Sequence, residues 1–135
     1  MVSISDVLKV LMDDKSLDVF NSVASSRVDS VAILRKKLGL TRKQYYSIFH
    51  NLRNAGLILT RKRKPQLSYF GVVVYEVQKL LLKGVQEYDK LQTIDSIQTK
   101  DDTAEMPIDE RNKIINAMIK AKEIRDLLLS HTPAK

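Results

Sequence analysis

A chain of 135 residues with 23 Lys or Arg, 16 Asp or Glu and no cysteine has room for one domain with a real core and an appended helical arm, and is too short for two independent domains of ordinary size. The absence of cysteine excludes disulfides, thiol redox chemistry and thiolate metal sites together, and no apolar run approaches the roughly 20 residues that span a bilayer, so no membrane partner is expected. The net charge of +7 is unevenly placed: between Val31 and Leu67 there are ten Lys or Arg and not one Asp or Glu.

The chain begins Met1, Val2, Ser3, Ile4 with an acidic Asp6 close behind, which is not a basic-then-apolar leader, and a cytoplasmic location is expected. Residues 1–13, with Ile4, Val7, Leu8 and Leu11 at helical spacing, and Lys15 to Ala24, with Leu17, Phe20 and Val23, read as two helices or as one interrupted helix. The Asp13-Asp14 pair between them reads as capping or solvated groups, since neighbours in sequence do not make a converging acid/base site. Asp29-Ser30 can cap a third helix through Val31, Ile33, Leu34 and Leu38, which Gly39 ends in a left-handed conformation. Arg35, Lys36 and Lys37 close that helix, where they either meet phosphate or balance its dipole.

Thr41 is expected to cap the next helix, 41–55. One side of it carries Tyr45, Phe49, Leu52 and Gly56 and is expected to be core. The other presents Arg42, Lys43, Tyr46, Ser47, His50 and Asn54, with Arg53 at the edge and Ile48 ambiguous. Helix, "KKLGLT" turn, helix is the arrangement of a helix-turn-helix. After Gly56 the pattern turns to strand: "LILT", the basic tip Arg61, Lys62, Arg63 and Lys64, then "PQLS" make a short hairpin, with Pro65 suited to an edge or turn. A solvated face ordinarily mixes its charges, whereas this acid-free block points to a polyanion.

From Ser68, a cap, the apolar positions Phe70, Val74, Val77, Leu81, Gly84, Tyr88 and Leu91 alternate spacings of four and three. They predict one long helix over 68–92, about 36 Å if it runs to Leu91. Phe70, Val73 and Val77 are expected to pack back on the first helix, and Val74, Val77, Leu81, Gly84, Tyr88 and Leu91 to pair two copies. Residues 93–107, polar with Asp101-Asp102 and a closing proline, read as a connector. The segment 108–130 carries Ile114, Ile115, Met118, Ile119, Ile124, Leu127 and Leu128 with a phase shift near Lys120 to Lys122, which predicts two short helices or one bent helix. His131 is read as inert.

At "LGLTRKQYYSIFHNLRNAGLI" followed by "RKRKPQLSYFG" the chain resembles the winged helix-turn-helix transcriptional regulators of archaea, related to the ArsR and MarR types. Leu38-Gly39 precedes the recognition helix, Ala55-Gly56-Leu57-Ile58 leaves it, and Leu67 to Gly71 stands where that family has Leu-Thr-x-x-Gly, with Ser68 for threonine. The likeness covers about Asp14 to Tyr88. Two departures are "KP" in place of a wing-tip glycine and the lack of ArsR-type metal ligands, so metal sensing is not carried over. The resemblance implies a mainly α fold with a small β-hairpin wing: a winged helix-turn-helix DNA-binding domain over 14–70, a long dimerisation helix and terminal helices. It also implies a homodimeric transcription regulator of double-stranded DNA, the recognition helix in the major groove and the wing 60–65 on the backbone or minor groove.

A winged-helix module that binds RNA or a protein is the alternative. The acid-free face and the scarcity of stacking aromatics favour duplex DNA over it. No phosphate-cradling glycine loop and no Gly-x-Ser-x-Gly elbow is present, so no enzyme is expected. No cofactor is implied, and the residue types identify no small-molecule effector.

Overall fold

The computed structural model describes residues 1–25, 31–99 and 107–131. Among them the fold is mainly helical with one small antiparallel hairpin: α1 (Ile4–Leu11), α2 (Asp14–Ser25), α3 (Val31–Leu38), α4 (Arg42–Asn54), β1 (Ile58–Arg61), β2 (Lys64–Leu67), α5 (Tyr69–Gln86), α6 (Tyr88–Thr99), α7 (Ile108–Met118) and α8 (Lys122–Ser130). No helix among the described residues is long and apolar enough to cross a membrane. The chain divides into two compact units, Met1–Glu76 and Val77–Lys135.

In the first unit the helix ends follow from local chemistry. Ser3 and Asp6 form a reciprocal capping box at α1, and the hydrogen bond from the Ser3 backbone holds the Asp6 carboxyl below its usual range. Asp13 accepts from the Ser16 N–H at 3.0 Å and so caps α2. The expected Asp29-Ser30 cap lies outside the described residues. α3 and α4 end alike: Gly39 (φ 67°) and Gly56 (φ 78°) turn left-handed, while Leu40 N–H bonds Arg35 O and Leu57 N–H bonds Leu52 O, both at 3.0 Å. These are Schellman closures, which satisfy the last carbonyls and return the chain sharply.

Those closures drive Leu40 and Leu57 inward, and both are buried in one cluster with Val7, Val19, Phe20, Val23, Leu34, Tyr45, Ile48, Leu52 and Ile58. Ile48, ambiguous in sequence, is core, and Phe49 is partly buried against it. Ile4 and Leu8 share the helical spacing of α1 but are 79% and 62% exposed, because Val7, Val10 and Leu11 supply its buried side. One expectation fails here: Phe70, Val73 and Val77 are exposed, and it is Val74 and Tyr75 that reach the core, Tyr75 edge-on to Phe20 at 6.3 Å between centroids.

Ser68 ties the hairpin to α5. Its hydroxyl donates to Gly56 O at 2.5 Å and accepts from Gly71 N–H at 2.8 Å, while its own N–H bonds Leu57 O at 3.1 Å. Gly71 is buried beside that carbonyl, where an added Cβ would collide with the Leu57 oxygen and stand 3.1 Å from its carbon. The Leu-Ser-x-x-Gly pattern therefore records one junction: a cap at its second position and a close backbone approach at its last.

The second unit corrects two expectations. The helix predicted over 68–92 is not continuous: α5 ends at Gln86 and α6 starts at Tyr88, with Glu87 a turn between them. Glu87 N–H still bonds Lys83 O and Leu91 N–H still bonds Glu87 O, so the apolar spacing runs through the break almost unaltered. Gly84, the poorest helix former nearby, lies one turn before it. Leu80, Leu91 and Ile94, on both sides of the break, close on Ile115, Ile119 and Ile124.

The connector expected over 93–107 begins as helix, because α6 runs to Thr99; residues 100–106, with Asp101-Asp102, lie outside the described residues. Ile94 is buried against Ile115 and Ile119, which anchors the polar stretch as helix, and Thr93 and Ser96 satisfy their hydroxyls on Asp89 O and Gln92 O. The phase shift near Lys120 is real: Ile119 and Ala121 are extended, separating α7 from α8.

Arg111, buried on α7, caps the end of α8 by donating Nη2 to Leu128 O at 2.5 Å and His131 O at 2.8 Å. Charge-assisted bonds of this kind are worth about 1.5–3 kcal/mol. Arg111→Leu is expected to cost about 2 kcal/mol and Arg111→Lys less, read by urea unfolding; equal stability of all three chains would contradict the cap. Lys83 meets Glu123 at 2.8 Å, and that hydrogen bond holds the Glu123 carboxyl below its ordinary range.

Candidate nucleic-acid interface

The capping box of Thr41 and Gln44 starts α4: Thr41 Oγ1 accepts from Gln44 N–H at 3.1 Å and Gln44 Oε1 from Thr41 N–H at 3.0 Å. Thr41 is thus engaged in holding the helix, and Gln44, not singled out from the sequence, is its partner. With Tyr45, Ile48 and Leu52 buried, helical geometry turns Arg42, Lys43, Tyr46, Ser47, His50, Arg53 and Asn54 outward, and all seven are exposed. Tyr46 stands edge-on to Tyr45 at 5.6 Å between centroids, and Tyr45 stacks on Phe49 at 5.8 Å. Asn54 Nδ2 lies 3.0 Å from His50 Nε2, within hydrogen-bond reach one turn along the exposed face. Lys36 and Lys37 are exposed at the end of α3, and Arg35 is half-buried, its Nε without a hydrogen bond among the described residues.

The Tyr45 hydroxyl is buried with no hydrogen-bond partner among the described residues. Burial pushes its ionisation above the ordinary tyrosine value of 10.0, with the neighbouring Tyr46 adding to the effect. The folded phenol therefore keeps its proton where the unfolded one has lost it. Its contribution to stability is complete below about pH 10 and falls as the pH rises beyond that. Tyr45→Phe is expected to be neutral or stabilising by up to about 1 kcal/mol at neutral pH, and to lose less stability in alkaline solution. A loss above about 1.5 kcal/mol at pH 7 would mean that the hydroxyl is satisfied.

β1 and β2 pair Ile58 with Leu67, Leu59 with Gln66, Thr60 with Pro65 and Arg61 with Lys64. Ile58 anchors the base of the hairpin in the core, and Pro65 is buried in a sheet of two strands where each is an edge. The turn is two residues long, Lys62 (φ 52°) and Arg63 (φ 64°), both left-handed. That is the geometry in which hairpins prefer Asn-Gly, because a side chain there costs about 1 kcal/mol or more per residue. Arg61 and Lys64 face each other across the strands with like charge, which opposes pairing.

The structure brings α4 and β1 together around an open concavity of about 660 Å³, lined by Tyr46, Ser47, Phe49, His50, Arg53 and Thr60. The Phe49 wall was not read from the sequence as part of the site, and Thr60 entered only as the first residue of the wing 60–65; a residue one step before a basic tip carries no signal of its own. Of the residues expected to pair two copies, Val77, Leu81 and Tyr88 are exposed at 60%, 68% and 56%. Val74 is partly buried in the first unit, and Leu91 in the second, where Gly84 comes near Ile124. Among the described residues no group of three or more His, Asp or Glu converges as a metal site would require. Comparison with protein-family models, with curated proteins and with solved structures found no match.

Proposed function

We propose that Met1–Glu76 is a winged helix-turn-helix unit that binds double-stranded DNA, and that the chain acts as a homodimeric transcription regulator. The observation that carries this reading is an acid-free basic surface on the outer side of α4 and at the tip of the hairpin, both anchored by their apolar sides in the same core. α4 has the length and capping of a helix that enters a major groove. Lys43, Tyr46, Ser47 and His50 are assigned to base edges, and Arg42, Arg53, Lys36 and Lys37 to phosphates. Arg61 to Lys64 follow the neighbouring backbone or minor groove. The exposed Val77, Leu81 and Tyr88 of α5 and α6 pair two copies, and a symmetric dimer reads two half-sites.

The division of labour is testable once a preferred duplex has been selected from a random pool. Arg63→Ala should weaken random and selected duplexes nearly alike, and Ser47→Ala or His50→Ala should weaken the selected one by about 1–3 kcal/mol per lost base contact. Equal effects of both classes on both duplexes would refute it. Leu81→Glu should yield a folded monomer by sedimentation, and an unchanged mass would remove this face from the pairing.

A further inference from the structure

We propose that the β1–β2 hairpin is incomplete without a nucleic-acid backbone: its tip is held open to fraying by its own charge and backbone conformation, and adjacent phosphates lock it. This rests on the reading of the first unit as a DNA-binding domain and adds a coupling between binding and local order. Three observations converge on four residues. Lys62 and Arg63 both occupy left-handed backbone conformations without being glycine or asparagine. Arg61 and Lys64 are paired directly opposite each other with like charge. Among the described residues no side-chain hydrogen bond or ion pair holds any of the four, and their own segment, Val31 to Leu67, contains no acidic residue.

A hairpin of two four-residue strands has little pairing with which to offset such a tip, and isolated two-stranded ribbons are marginal in water. Its base is secured by Ile58 and by the Ser68 junction, so opening is confined to the distal end. A phosphodiester strand placed along the tip supplies what the chain lacks: negative charge between Arg61 and Lys64, and acceptors for Lys62 and Arg63. Association then stabilises the left-handed turn that the free chain populates with difficulty. Residues that a stable hairpin would not choose are those whose side chains a polyphosphate would hold.

The test is amide hydrogen exchange of the full chain at low salt, read on β1 and β2 with the α2 amides as internal reference. It is run free, with inorganic polyphosphate, and with a random-sequence duplex whose binding is followed independently by fluorescence anisotropy. The expected result is fast exchange at the free tip, slowed about tenfold or more by polyphosphate and by duplex, with partial slowing in high salt. Lys62→Asn/Arg63→Gly, which suits the turn, should already be protected when free and gain much less. Tip amides protected as well as α2 in the free wild-type chain, or equal gains in both chains, would overturn the coupling. Duplex that binds without slowing exchange would also overturn it and leave the DNA reading standing. Protection by polyphosphate with no duplex binding would keep the coupling and sink the DNA reading.

Discussion

Gly71→Ala is expected to be among the most damaging single substitutions in the first unit, costing about 3 kcal/mol or more and lowering the yield of folded chain. Alanine favours helices over glycine by about 1 kcal/mol, so propensity alone predicts a gain at this position in α5. The Leu57 carbonyl decides otherwise: an added Cβ would overlap its oxygen, and neither group is the free end of a side chain that can swing away. The start of β1 would have to leave α5, breaking the Ser68 bridge between Gly56 and Gly71. Gly84→Ala is the control, since its Cβ would meet only the Ile124 Cδ1 at 3.9 Å; it should be neutral or stabilising. Chemical unfolding of both variants checks the contrast, and a Gly71→Ala chain as stable as wild type would mean that the close approach does not exist.

Replacing Arg61, Lys62, Arg63 and Lys64 together by glutamine is expected to have the largest effect on binding with the least on folding. Each cation that neutralises a phosphate adds about 0.9 to the slope of log affinity against log salt. Removing four should reduce that slope by about 3–4 and weaken duplex binding at low salt by roughly tenfold or more, for every sequence alike. The fold should not suffer, because none of the four is buried and Arg61 and Lys64 repel across the hairpin. Retained affinity with an unchanged slope would show that phosphate is met elsewhere.

Much of the first unit was legible because its signals are local. Thr41 starts one helix and Gly39 ends another by chemistry within a few residues, and the change of period after Gly56 marks the hairpin; the Gln44 half of the capping box was not read. The burial of Tyr45 and Leu52 and the exposure of Tyr46, Ser47 and His50 follow from helical spacing alone. What was not legible depends on non-local packing. Ile4 and Leu8 keep the spacing of a buried stripe but face solvent, since Val7 and Leu11 already fill the side that α2 covers. The Glu87 break is invisible to a heptad pattern, because flanking i to i−4 bonds persist and the apolar phase hardly moves. Gly71 announced a glycine but not the carbonyl against it, and Arg111, one more charge in a helical run, gave no hint that it would cap α8 from seventeen residues away. The left-handed turn at Lys62 and Arg63 runs against turn preference, so only coordinates reveal it.

The central claim is that the acid-free face of α4 and the hairpin bind duplex DNA. It is tested most directly by titrating the protein with random-sequence duplex and with single strands of equal length, DNA and RNA, across a series of salt concentrations. The account predicts binding that prefers duplex and weakens linearly in log affinity against log salt. Absence of duplex binding at low salt, or an equal or stronger preference for single strands, would contradict it and assign the basic face to RNA or an acidic protein.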